Sequence, residues 1–126
     1  DTFHETFVVS EDIYLSFILL FKDKNPLHTN EIFAKEKGFR SKVMHGNILN
    51  GFLSFFFFFC LPAKEVVIHS QEINYKNAVY MNDKLYFTAE VTDVFESVKA
   101  VEFKYFFKNM ESKIIAKGKI QIGLLR

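Results

Sequence analysis

The chain has 126 residues, 49% of them hydrophobic, which suits a single domain, 1–126, with a substantial core. Its 16 Lys and Arg are nearly balanced by 15 Asp and Glu, so no global field draws it to nucleic acid or to an anionic membrane. The one cysteine, Cys60, can form no internal disulfide, and nothing near the first residue resembles a cleaved signal, so the expected setting is reducing and cytoplasmic.

Thr6 to Val9 reads as a short strand, after which Ser10 offers a helix N-cap with Glu11 and Asp12 suited to the first turn. The helix that follows runs to about Phe21, and Ile13, Phe17, Leu20 and Phe21 share one face expected to be buried. The segment "KDKNPLH", Lys22 to His28, then breaks it, because the residue before a proline is pushed out of the α region and Asn25 is at home in turns. Thr29 or Asn30 can cap a second helix through Lys37, ended by Gly38.

A third helix, from Gly46 or Asn47 to Cys60, is the most apolar element and contains five consecutive phenylalanines, Phe55 to Phe59. Its apolar part is about half of the roughly 20 residues needed to cross a bilayer, and Pro62, Lys64 and Glu65 close it, so it reads as a helix buried on every face. Beyond Glu65, strands are expected at 66–75, 84–94, 98–108 and 114–124, with turns at Asn82-Asp83, Glu96-Ser97 and Asn109 to Glu111. Leu85, Phe87, Ala89 and Val91 alternate onto one face, as do Val101, Phe103, Tyr105 and Phe107. Helices followed by an antiparallel meander make an α+β domain whose sheet wraps the apolar helix.

Chemistry is concentrated in the turn. Asp23, Asn25 and His28 bring a carboxylate, an amide and an imidazole together beside apolar elements, where the first and last can share a water and exchange protons. The same residues also serve as caps or as a satisfied structural histidine, and spacing alone leaves both readings open. No His, Cys and carboxylate group has metal-ligand spacing, no Gly-rich phosphate loop is present, and Cys60 lacks a nucleophile's setting.

The stretch "DKNPLHTNEIFA", Asp23 to Ala34, resembles the signature of the MaoC-like, (R)-specific enoyl-CoA hydratases and dehydratases, Asp-x-Asn-Pro-(aliphatic)-His followed after five residues by Ala or Ser. Gly38-Phe39, His45-Gly46, Ser54 and "NYKNAVYMND", Asn74 to Asp83, stand at the family's relative positions. The resemblance implies the hot-dog fold, a long central helix wrapped by an antiparallel sheet with an overhanging helical segment, and a homodimer with its sites at the subunit interface. It implies reversible syn addition of water to a trans-2-enoyl thioester of CoA or acyl carrier protein, giving the (R)-3-hydroxyacyl thioester, with no cofactor and no metal. Asp23 and His28 would then activate the water and manage the α-carbon proton, with Asn25 orienting the imidazole or the water. The backbone N–H of Gly46 would hold the thioester oxyanion, and Ser54 would hydrogen-bond beside the dyad. For Ser54, a bond back to the Asn50 carbonyl is an equal alternative, and His45 is expected to be structural.

Two departures from the family pattern stand out. Phe21 and Lys22 replace the usual Ser or Thr and Gly before Asp23, which leaves Lys22 and Lys24 flanking that carboxylate; both are expected to point outward. The phenylalanine run lies where an acyl chain would run, and filling the core is its expected role rather than lining a tunnel. A hot-dog thioesterase and a non-catalytic acyl-binding subunit are the competing functions, the second motivated by Lys22.

Overall fold

In the computed structural model, which describes residues 1–62 and 65–125, the first element is strand β1 (Thr2–Val8). It begins four residues before the expected strand because the alternation extends back: Phe3, Glu5 and Phe7 turn inward while their neighbours are exposed. Helix α1 (Glu11–Phe21) follows, its Ser10 hydroxyl accepting from the Ile13 N–H at 3.2 Å. Only half of the expected buried face is even partly buried, and the one fully buried residue of α1 is Tyr14. Ile13 and Phe17 pack on the core, whereas Leu20 and Phe21 are 70% and 69% exposed. The spacing of the four residues is right, but the end of α1 flanks a cavity instead of resting on a packed layer.

Lys22 ends α1 in the left-handed conformation, with φ 58° and ψ 27°, and donates its N–H to the Ile18 carbonyl at 2.8 Å. This is the position where the family pattern has glycine, and the left-handed backbone supplies the reason. The turn expected at "KDKNPLH" contains a further element, the single-turn helix α2 (Pro26–Thr29). Asn25 caps it by accepting from the Leu27 N–H at 2.9 Å, and Pro26 takes the first helical position, where a missing N–H costs nothing. Helix α3 (Glu31–Glu36), capped by Asn30, ends before Gly38, whose φ of 93° needs a residue without a side chain.

The apolar helix α4 (Asn47–Phe55) passes into one turn of π-helix at Phe56–Cys60. Ile48, Leu49, Phe52, Leu53, Phe56 and Phe57 are buried. Phe55, Phe58 and Phe59 are 47%, 52% and 58% exposed, so this helix is not buried on every face in the single chain. Its apolar stripe is wider than one sheet can cover. Lys64, expected to help close this helix, lies outside the described residues.

Strands β2 (Val66–Tyr75), β3 (Lys84–Phe95), β4 (Ala100–Lys108) and β5 (Ile114–Leu124) fall close to their expected positions. With β1 they form an antiparallel sheet in the order β1-β3-β4-β5-β2. The expected meander therefore holds for β3, β4 and β5 but not for β2, which pairs with β5 at the far edge. Residues 76–83 between β2 and β3 are long enough to cross the sheet, unlike the short turns that join the other three. On β5, a side chain at Gly118 would collide with the Glu72 carbonyl; the gap instead lets Tyr105 Oη donate to that carbonyl at 2.8 Å.

The sheet closes on α4 through aromatic contacts. Phe7 stacks on Phe52 with centroids 4.5 Å apart, Phe56 meets Phe87 at 4.7 Å, and Phe57 meets Phe103 at 5.0 Å. Leu85, Phe87 and Ala89 of β3 and Phe103, Tyr105 and Phe107 of β4 are buried beneath them. The result is the expected hot-dog arrangement, with α1 to α3 overhanging the N-terminal end of α4.

Candidate active site

Two short segments meet at that end of α4, one carrying α2 and the other leading into the helix. Val43 N–H donates to the Leu27 carbonyl at 3.0 Å, and His28 Nδ1 lies 2.7 Å from the Val43 carbonyl. A carbonyl can only accept, so Nδ1 carries the proton, and Nε2 of a neutral His28 is the basic nitrogen. Tyr14, buried on α1, donates its hydroxyl to the His28 carbonyl at 2.6 Å. Residue 43 is itself held by α3: the Glu31 carboxylate accepts from Ser41 Oγ at 3.1 Å and from the Lys42 N–H at 3.2 Å. Those two bonds, the backbone one first, hold the Glu31 carboxyl below its ordinary pKa.

Asp23 is exposed, and one of its carboxylate oxygens accepts from the Asn25 N–H at 3.3 Å. Its backbone carbonyl accepts from His45 Nε2 at 2.8 Å. His45 is only 3% exposed and stacks on the His28 ring, centroids 4.0 Å apart and planes 30° apart. Burial pushes its pKa below the ordinary 6.5, the proximity of His28 lowers it further, and the Asp23 carbonyl and charge oppose the shift. Asp23, His28 and His45 each bring one possible donor atom within 4.8 Å of the others. Distant positions in the chain thus form the one candidate metal-binding group among the described residues, which sequence spacing did not reveal. Its capacity is limited, because each ring has already committed one nitrogen to a carbonyl.

Gly46 caps α4 with right-handed backbone angles, and its N–H has no acceptor among the described residues. Tyr75 closes on it: a methyl at Gly46 would meet Tyr75 Cε1 at 2.8 Å. Burial raises the Tyr75 pKa, partly offset by Asn50, whose Nδ2 lies 3.4 Å from the hydroxyl. The site therefore has an unspent donor at a helix N-terminus, next to the Asp23 carboxyl and the His28 imidazole.

Two cavities border this group. One, of 450 Å³, is lined by Asp23, His28, His45, Gly46 and Tyr75 among others. The other, of 850 Å³, is largely apolar, lies between α1 and α4, and is lined by Phe17, Leu20, Phe21, Phe52 and Ser54. Asp23 and Asn47 belong to both.

Of the residues expected from sequence, Asp23, His28 and Gly46 share one cavity. Ser54 is exposed on the second and makes no bond to the Asn50 carbonyl among the described residues. Asn25 lines neither; its side-chain oxygen is used as the α2 cap. Lys22 and Lys24 are exposed, and neither pairs with Asp23 among the described residues. The phenylalanine run borders neither cavity. His45 and Tyr75 are the members that sequence reasoning missed, although both lie in the quoted motifs His45-Gly46 and "NYKNAVYMND".

A family model described as MaoC like domain matches residues 2–109. An (R)-specific enoyl-CoA hydratase of Rhodospirillum rubrum is 32% identical over 97 residues, which are 77% of this chain and 67% of that protein. An (R)-specific enoyl-CoA hydratase of Aeromonas caviae is 31% identical over 77 residues, 61% of this chain and 58% of the relative. The chain thus spans about three fifths to two thirds of these curated relatives. Among solved structures, an (R)-hydratase from A. caviae superposes with a TM-score of 0.89, covering 98% of this chain and 94% of that one. At 22% identity this is a likeness of fold.

Proposed function

Because this chain belongs to the MaoC-like domain family, we propose that it is an acyl-thioester hydratase and dehydratase, interconverting a trans-2-enoyl thioester and its (R)-3-hydroxyacyl thioester. The observation that carries the reading is the spacing of the dyad. A carboxylate oxygen of Asp23 and a ring nitrogen of His28 lie within 4.8 Å of each other. Two hydrogen bonds of about 2.8 Å meeting at one water span about that distance.

In the hydration direction, that water adds its oxygen to the β-carbon and gives a proton to the dyad, while the dyad supplies a proton to the α-carbon. Both atoms come from the same side, so addition is syn. The Val43 carbonyl keeps the His28 proton on Nδ1, which leaves Nε2 to take one. Negative charge gathers on the thioester oxygen, and the Gly46 N–H is the donor preorganised to meet it. Ser54 borders the acyl side, where Phe17, Leu20, Phe21 and Phe52 offer an apolar wall. Asn25 acts through the α2 cap that sets His28 relative to Asp23. No cofactor enters this chemistry, and the carrier is CoA or an acyl carrier protein.

We take residues 1–126 as one domain that works as a homodimer. Leu20 and Phe21, beside the apolar cavity, and Phe55, Phe58 and Phe59, away from both cavities, are exposed large apolar side chains that a second copy would cover. Among the described residues no helix is long and apolar enough to cross a membrane. Cys60, whose thiol donates to a Glu5 carboxylate oxygen at 3.4 Å, is in no disulfide among the described residues, which fits a cytoplasmic setting.

The test is loss of the conjugated enoyl-thioester absorbance with crotonyl-CoA, longer enoyl-CoAs and carrier-linked enoyl groups. Hydration without free thiol is expected. A folded protein inactive on all of them refutes the reading, and release of free thiol from acyl-CoA points to a thioesterase instead.

A further inference from the structure

His45 takes no direct part in the chemistry just described, yet it is the most deeply buried polar residue at the site, at 3% exposure. Its Nδ1 is buried with no hydrogen-bond partner among the described residues, an arrangement that costs free energy and calls for a compensating role. A structural residue alone would not need an imidazole there, since a phenylalanine would stack as well and leave no orphan. What only a donor-bearing ring provides is the bond from Nε2 to the Asp23 carbonyl at 2.8 Å together with the stack on His28 at 4.0 Å. Asp23 lies in the three-residue gap between Lys22 and α2, where no helical bond holds its carbonyl.

We propose that His45 is a positioning residue for hydration: through one ring it fixes the backbone of Asp23, the plane of His28 and, as the residue preceding Gly46, the start of the helix that presents the oxyanion donor. The three groups come from two segments, one carrying Asp23 and His28 and the other carrying Gly46, and His45 touches or adjoins each. Removing its donor lets the Asp23 carbonyl drift while leaving the cavities and the apolar wall in place. The effect therefore falls on turnover and not on substrate binding. The ring must stay neutral to do this, because a charged His45 would oppose protonation of the His28 ring stacked on it. Phe17, at 4.6 Å, and Tyr14, at 5.9 Å, exclude water from its other sides.

This inference rests on the hydratase reading, and the experiment separates the two. His45→Phe keeps an aromatic ring but removes the donor; His45→Gln keeps a donor near the Nε2 position but removes the ring. With crotonyl-CoA, His45→Phe is expected to lose about ten- to a hundredfold in kcat, with KM within about threefold, as a misplacement near 1 Å would cause. His45→Gln should recover most of that loss. Equal kcat in the two variants, or a change confined to KM, overturns the positioning role while leaving the hydratase reading intact. Should His45→Phe not fold, nitrogen NMR of the wild-type ring decides. A neutral imidazole protonated at Nε2 across the active pH range is expected, and a charged ring or a proton on Nδ1 overturns the proposal. If the wild type hydrates no enoyl thioester, the hydratase reading fails, and the positioning role fails with it.

Discussion

Replacing Gly46 with alanine separates site geometry from stability. The backbone at Gly46 is right-handed, with φ −58° and ψ −34°, so alanine meets no conformational penalty there. The added methyl lies 2.8, 3.1 and 3.2 Å from three carbons of the Tyr75 ring, and one partner must move by several tenths of an ångström. Tyr75 is half exposed and can swing outward, giving up the weak 3.4 Å contact with Asn50. We therefore expect a stability change within about 1 kcal/mol. Catalysis should suffer far more, because the methyl sits next to the N–H that must lie about 2.7–3.1 Å from the oxyanion. Loss of one such donor costs about 100- to 1,000-fold in kcat. Thermal denaturation and enoyl-thioester hydration, run side by side, read the two effects. A folded Gly46→Ala protein with kcat within about threefold of wild type would refute the placement of the oxyanion at this helix start.

Lys22→Gly relieves a left-handed lysine and should stabilise the protein by about 1 kcal/mol, after the greater unfolded-state freedom of glycine is deducted. The thermal midpoint should rise by about 3–5 °C. Asn25→Ala removes the α2 cap and should cost about 1 kcal/mol, with a fall in kcat because His28 rides on that single turn; a large KM effect with unchanged kcat would instead place Asn25 at the substrate. His45, whose pKa lies below the ordinary 6.5 in the folded chain, takes up a proton more readily when unfolded. Its contribution is full above pH 6.5 and is lost as pH falls below that value towards the folded pKa. The drop in thermal midpoint on acidification through that window should be shallower in His45→Gln.

Local signals in the sequence were strongest where a side chain acts on its own backbone. Ser10 announced α1, the pair Thr29 and Asn30 the start of α3, where Asn30 is the cap, Gly38 the end of α3, and the alternating residues of β3 and β4 the face of the sheet. What escaped depends on partners distant in the chain. Nothing local tells β2 to pair with β5 instead of β3, and Gly118 shows its purpose only when the Glu72 carbonyl and Tyr105 lie against it. The phenylalanine run is apolar on all sides, but burial depends on what surrounds it, and one sheet covers only Phe56 and Phe57.

The site divides in the same way. Asp23 and His28 are legible because the motif "DKNPLH" carries both and resembles the family signature, while their spacing alone leaves capping open, and Asn25 is legible as a cap. His45 looked structural because its two partners, the Asp23 carbonyl and the His28 ring, come from a segment 17 to 22 residues earlier. Lys22 shows the reverse: the resemblance marked it as unusual, and the left-handed backbone at that position explains why glycine is the usual residue.

The central claim is that one water is shared by Asp23 and His28 over an enoyl thioester. Its most direct test is the kcat for crotonyl-CoA hydration by wild type, Asp23→Asn and His28→Ala, each verified as folded. Removing either half of an acid–base pair should lower kcat by about 100- to 10,000-fold. Hydration that persists at the wild-type rate in either variant would contradict the account.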